Sequence, residues 1–223
     1  MSPNLKVVRD KFGKTISNWY DENVLPKVID LVCGSRLFKE LRRELLEGLS
    51  GSVVEVGFGS GTNVEFIPSS VTSYLGIEPS VAAIELGKRR KLPPRVIPIV
   101  SVGEALAIRS NSIDFVLFSF VLCSVDDPFK VVKESLRILK PGGELRFIEH
   151  GKSSGKAMAR VQKALDPLEM AVAGNCRLSR VPDEFFNPAE WTQKVATENY
   201  LGSRSPWSYV YRARYLRAPL NSN

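Results

Sequence analysis

The stretch Ser52 to Asn63 reads SVVEVGFGSGTN: an apolar run short enough for one strand, an acid inside it, and glycines at 57, 59 and 61. Glycines spaced this way directly after a strand let the backbone turn sharply and approach a nucleotide-like ligand closely. The feature therefore narrows the chain to open α/β sheets, which bind ligands beyond the carboxyl ends of their strands. The ligand itself stays open. GxGxG differs from the dinucleotide pattern GxGxxG, because Thr62 stands where the last glycine belongs.

The flanking sequence agrees with such a sheet. Val53–Val56, Ser73–Ile77, Val96–Val100, Phe115–Phe120 and Glu144–Glu149 are short apolar runs, as expected for strands covered on both faces. Helical patterns lie between them. In DDPFKVVKESLRILKPGG, Asp127 suits an N-cap and Pro128 the first turn, while Phe129, Val132, Leu136 and Leu139 are expected to form the apolar face. A second helix is expected from about Ser80 to Lys91. Right-handed crossovers between such strands give a doubly wound, mainly parallel sheet with helices on both faces. Two amphipathic pieces precede it, so residues 1–50 are expected to form an N-terminal helical cap and residues 51–223 the core. Within the core, residues 151–190 are expected to form a substrate-side insertion. The segment after Glu149 reads as helical to about Gly174, and a final strand pair includes Ser208–Leu216.

With 223 residues, 43% of them hydrophobic, the chain can bury a substantial core. No apolar run approaches the roughly 20 residues that span a bilayer, and MSPNLKVVRDKFGK lacks the apolar stretch of a secretory signal, so a cytoplasmic location is expected. Cys33, Cys123 and Cys176 are scattered and odd in number, which argues against a disulfide framework or a CxxC metal site. His150 is the only histidine, which excludes a multi-histidine centre; no metal is expected. The net charge of +7 is concentrated in residues 151–223, with 11 basic and 6 acidic side chains. That surplus fits either a solvated basic face carrying Arg204, Arg212, Arg214 and Arg217, or contact with an anionic partner, peripherally with a membrane surface or with nucleic acid.

Glu55 discriminates between ligands. A carboxylate just before the glycines repels a pyrophosphate, whereas S-adenosylmethionine brings an ammonium and a sulfonium to that place. The alternative is a glutamate that caps the following turn. Glu78 ends the next strand in YLGIEPS, 17 residues beyond Gly61, where a carboxylate can accept both ribose hydroxyls. After the third strand, a turn at Val102, Gly103, Glu104 and Ala105 is placed to flank an adenine.

EVGFGSGTN, GIEPS, SVGEALAIRSNSIDFVLFSFVLCSV and LKPGGELRFIEH together resemble the class I S-adenosylmethionine-dependent methyltransferases, in the branch that includes quinone and phospholipid methyltransferases. FVLCSV, FIEH, and LDP followed by GNCRLSR resemble the thiol S-methyltransferases of that family. The resemblance implies a Rossmann-like seven-stranded sheet, a methyl transfer, and a cofactor site drawing on Tyr20, Glu55, Gly57, Phe58, Gly59, Gly61, Asn63, Glu78, Pro79, Val102, Gly103, Glu104, Ala105, Ser119 and Phe120. There are departures: Leu106, Ala107 and Ile108 replace the usual LPF, and Val102 stands where a small acid is common. The N-terminal residues do not resemble the hydrophobic anchor of the animal thiol enzymes, so membrane insertion of that kind is not expected.

Methyl transfer from a sulfonium is an in-line displacement that mainly demands placement of the nucleophile and exclusion of water. Residues near the methyl group are expected from the ends of the fourth and fifth strands, with His150 as either a base or a residue that orients a loop by bonding its backbone, and Cys123 as either a packed residue or a participant. Trp19 and Tyr20 are placed like the N-terminal aromatic that closes over the cofactor in the family the chain resembles, with Tyr20 reaching the cofactor carboxylate; the alternative is that they pack the cap helix onto the sheet. The expected acceptor is a small or lipophilic molecule, a thiol, a phospholipid amine or a quinone-like ring. Nucleic acid is disfavoured, since SFVL stands where a base-amine methyltransferase has its Asn/Asp-Pro-Pro-aromatic motif. A nicotinamide oxidoreductase and a non-catalytic cofactor-binding protein are the rival readings; the oligomeric state is unreadable.

Overall fold

The computed structural model describes residue 20 and residues 22–219. Helices α1 (Leu25–Cys33) and α2 (Arg36–Leu46) precede β1 (Gly51–Val56) and β2 (Val71–Glu78). Then come α3 (Val81–Lys88), β3 (Val96–Val100), β4 (Ile113–Ser119), α4 (Pro128–Ile138) and β5 (Leu139–His150). Helix α5 (Lys156–Val172) leads to β6 (Trp191–Tyr200) and β7 (Tyr209–Arg217). The seven strands form one sheet in the order β3-β2-β1-β4-β5-β7-β6. Strands β1 to β5 run parallel to one another, and β7 is antiparallel to both β5 and β6. The chain winds outward from β1 to β3, returns to the other side of β1 as β4, and so creates a switch point between β1 and β4.

Strand alternation sorts side chains into two cores. On one face Val54, Val56, Val116, Phe118 and Phe147 meet Val131, Val132 and Ile138 of α4. On the other, Val53, Tyr74, Leu117 and Ile148 meet Leu41, Leu45 and Leu46 of α2. Glu55 shares the parity of Val53, so the acid in the apolar strand points to the α2 side.

Helix α4 begins as expected: the Lys130 N–H donates to Asp127 Oδ1 at 3.1 Å, with Pro128 in the first turn. Its buried face differs from the expected one. Pro128, Val131, Val132, Ser135 and Ile138 face the core, while Phe129 is 60% exposed and meets Phe185 edge-on. Ser135 fits there because its hydroxyl donates to the Val131 carbonyl at 2.9 Å, so no polar atom is left unpaired. The helix stops at Ile138, before Lys140, because Leu139 already pairs with Ile113 as the first residue of β5.

The basic C-terminal side chains are engaged within the molecule. Arg212 pairs with Glu44 at 2.8 Å, Arg217 donates to Asn111 and the Leu139 carbonyl, and Arg204 lies 5.6 Å from the Tyr200 ring centre. No helix among the described residues is long and apolar enough to cross a membrane.

Candidate active site

A cavity of about 570 Å³ opens at the switch point. Its floor is the turn after β1, where the Gly57 and Phe58 N–H groups donate to the Ile77 carbonyl at 2.8 and 3.0 Å. Gly57, Gly59 and Gly61 all adopt positive φ, of 77°, 55° and 73°. At Gly57 a Cβ would stand 2.1 Å from Val121 Cγ2, so the turn and the loop after β4 approach as closely as a glycine allows.

Glu78 lies at the end of β2 and lines this cavity. Its Oε2 accepts from the Gly59 N–H and its Oε1 from the Ser80 N–H, both at 2.9 Å. It thereby ties the glycine turn to the start of α3, and burial raises its pKa. Pro79, Val102, Gly103 and Glu104 continue the wall. Ser119, Phe120 and Val121 complete it from β4. Phe120 has φ +60°, uncommon for a side chain of that size, and is held there by its N–H bond to the Ile148 carbonyl at 2.9 Å.

Glu55 also lines the cavity, yet it is 1% exposed and both its oxygens are engaged. Asn63 Nδ2 donates to Oε1 at 2.5 Å and the Tyr74 hydroxyl to Oε2 at 2.7 Å. Arg42 of α2 extends the network, donating from Nη1 to Asn63 Oδ1 at 2.7 Å and Ser119 Oγ at 2.8 Å. Its Nη2 donates to the Cys33 carbonyl at 2.9 Å, and its guanidinium lies 5.9 Å from the Phe120 ring centre. Burial pushes Glu55 up to about 7, against the opposing pull of Tyr74, Asn63 and Arg42. The sequence reading missed Arg42, which carries no motif and looks like one of several charges on an amphipathic helix.

Other expected residues stand elsewhere. Asn63 is fully buried inside the network, while Gly61 and Ala105 do not line the cavity. The Tyr20 hydroxyl donates to the Val172 carbonyl at 2.8 Å, on α5, and Tyr20 is not part of the cavity wall. Trp19 lies outside the described residues. In their place α1 supplies Leu25, Ile29 and Asp30; Asp30 is tied to Ser60 and Arg90, which fixes α1 over the glycine turn. Asn175 of the GNCRLSR motif enters the wall, donating to the Ser124 carbonyl at 2.9 Å and Asp126 at 3.0 Å. Arg180 holds the same loop through the Leu122 and Val125 carbonyls at 2.6 and 2.8 Å. Asp166 of LDP in turn accepts from Ser179, N–H and hydroxyl together. The two motifs are thus one bonded unit bracing residues 121–126.

Cys123 and His150 lie one layer behind the cavity wall. His150 packs against Phe120, with ring centres 5.7 Å apart. Burial disfavours its charged form, but Cys123 foremost, then Glu149 and Glu169, carry it up to about 9. Glu149 is fully buried; its Oε1 accepts from the Val121 and Leu122 N–H groups at 2.6 and 3.0 Å. Scattered spacing also concealed a juxtaposition: Cys123, His150 and Cys176, far apart along the chain, meet in space.

The fold and cavity define an α/β protein whose site is lined by Glu55 and Glu78 at the ends of two adjacent strands. A family profile described as Methyltransferase domain matches residues 54–147. Thiol S-methyltransferase TMT1B of Rattus norvegicus is 32% identical over 165 residues, covering 70% of this chain and 66% of that protein. Demethylmenaquinone methyltransferase of Renibacterium salmoninarum is 36% identical over 97 residues, covering 44% of this chain and 40% of that one. The N-methyltransferase NodS from Bradyrhizobium japonicum, solved with S-adenosyl-l-homocysteine, shares the fold at TM-score 0.66 and 16% identity, over 91% of this chain and 97% of its own. The chain spans about two thirds or less of the length of these curated relatives. It belongs to the class I S-adenosylmethionine-dependent methyltransferases.

Proposed function

We propose that this chain transfers the methyl group of S-adenosylmethionine to a small or lipophilic thiol. The observation that carries the reading is the pairing of Glu55 and Glu78 around a glycine turn with no room for side chains at Gly57. Those residues fit the cofactor. Glu78 would receive the ribose hydroxyls, the turn would pass the backbone beneath the methionine chain, and Glu55 would present negative charge to the cationic end. Val102 and Gly103 would flank the adenine. Bound S-adenosylmethionine supplies an electrophilic methyl carbon attached to a sulfonium.

The chain's own work is then positional. Phe120 and Val121 form the wall beside which an acceptor would lie, braced by Asn175 and Arg180, and from residues 151–190 Gly174 and Asn175 line the cavity. No histidine lines the cavity. An acceptor that arrives ready to attack suits such a site, and a thiol is already a few per cent thiolate near neutral pH. A phenol or carbon acid would call for a base. The likeness to a thiol S-methyltransferase over 70% of the chain, against 44% for the quinone enzyme, supports the same choice.

The test is label transfer from methyl-labelled S-adenosylmethionine into parallel panels of alkyl and aryl thiols, phosphatidylethanolamine, demethylated quinones and RNA. Label in the thiols, at a rate that rises with pH towards the thiol pKa, is the expected result. Label confined to another panel overturns the acceptor assignment. Failure of S-adenosylhomocysteine to raise the melting temperature would overturn the cofactor assignment too.

A further inference from the structure

Three ligand-type side chains from separate parts of the chain converge behind the cavity: Cys123 after β4, His150 at the end of β5, and Cys176 in the loop after α5. The sulfurs of Cys123 and Cys176 lie 3.8 and 3.5 Å from His150 Nε2. All three donor atoms fall within 4.8 Å of one another. A tetrahedral zinc ion, with Zn–S near 2.3 Å and Zn–N near 2.0–2.1 Å, places sulfur and nitrogen about 3.6 Å apart and its two sulfurs about 3.8 Å apart. The two sulfur-to-nitrogen spacings match that geometry, and the two sulfurs lie within 4.8 Å of each other. We propose that Cys123, His150 and Cys176 form a binding site for a thiophilic divalent cation, zinc before others.

The surroundings favour a metal. The two cysteines are buried with Leu178 and packed against Leu165 and Ala173, where a net charge is costly. Two thiolates and a neutral imidazole cancel a dication, so the loaded site is neutral. The triad gives up two protons in total on binding, whichever of its members hold them beforehand. Soft sulfur donors select zinc over magnesium or calcium. The ligands are also set in place by the backbone: the Arg177 N–H donates to the Cys123 carbonyl at 2.9 Å, joining the two cysteine-bearing loops. Three protein ligands leave the fourth tetrahedral position for water. A metal here would fasten the loop after α5 to the ends of β4 and β5, directly behind Phe120.

The metal site is independent of the acceptor, and metal content tests it without an activity assay. Reduced full-length protein, purified without chelator or reconstituted with Zn²⁺ and desalted, should carry about one zinc by mass spectrometry. Cys33→Ser should keep it, and Cys123→Ser and Cys176→Ser should each lose it. Should those variants fail to fold, Co²⁺ substitution of the wild type decides. A sulfur-to-cobalt charge-transfer band, with the visible spectrum of a tetrahedral site and two protons released per metal, supports the site. A wild type that retains no zinc against a weak chelator overturns it. So does a cobalt spectrum without the sulfur band, or unchanged metal content in both folded cysteine variants.

Discussion

Gly57 and Gly48 share nearly the same backbone angle, φ +77° and +70°, but a Cβ on Gly57 would meet Val121 whereas one on Gly48 would meet nothing within 4 Å. Alanine at Gly48 should therefore cost only the left-handed strain of about 1–2 kcal/mol. Alanine at Gly57 should add about 1–3 kcal/mol of overpacking and remove S-adenosylhomocysteine binding. Urea denaturation of both variants checks the difference, and equal losses would contradict the close approach. Glu78→Gln keeps the volume but can accept through one atom where the carboxylate used two. Its Kd for S-adenosylhomocysteine should rise about 10- to 100-fold, the value of hydrogen bonds to a charged group at about 1.5–3 kcal/mol. An unchanged Kd by calorimetry would remove Glu78 from the ribose site. These residues were legible because strand, turn and acid lie in one short run; Arg42 was not, because its value comes from what the fold brings to it.

At the scale of elements, local signals and tertiary packing divide the work. The N-cap of α4 was readable at Asp127, and Asp127→Ala should cost about 1 kcal/mol of stability while leaving cofactor affinity unchanged. Thermal unfolding and a parallel binding titration separate the two effects. The buried face of the same helix was misread at Phe129, since hydrophobicity alone cannot tell which of several overlapping stripes meets the sheet. Val131 and Ile138 won because they face Val116 and Phe118, and Phe129 found Phe185 on the outside. Strands were read better than helices here, as each short apolar run in a doubly covered sheet has a single workable pairing. The union of Cys123, His150 and Cys176 lay beyond any local pattern: it depends on a loop that crosses back over the strand ends after α5.

For the whole molecule, the cofactor role proposed for Glu55 would couple ligand capture to stability. Its folded-state pKa of about 7 lies above the ordinary value of 4.5 because burial outweighs its hydrogen bonds. Between those values the native chain holds a proton that the unfolded chain has lost, so the stabilising contribution is complete below the lower value. It disappears as pH rises through 7, a change of about 3 kcal/mol for a shift of this size. A cationic ligand reverses the balance, because the sulfonium and ammonium favour the ionised carboxylate. The melting temperature of the ligand-free protein should therefore fall across pH 5 to 8 more steeply than that of Glu55→Gln. The upward shift produced by S-adenosylmethionine should grow over the same range. Calorimetry below pH 7, in buffers of different ionisation enthalpy, should register proton release on binding. If wild type and Glu55→Gln show parallel pH profiles with no proton release, the charge of Glu55 is not what meets the cofactor, and its part reduces to anchoring Asn63 and Tyr74 under the glycine turn.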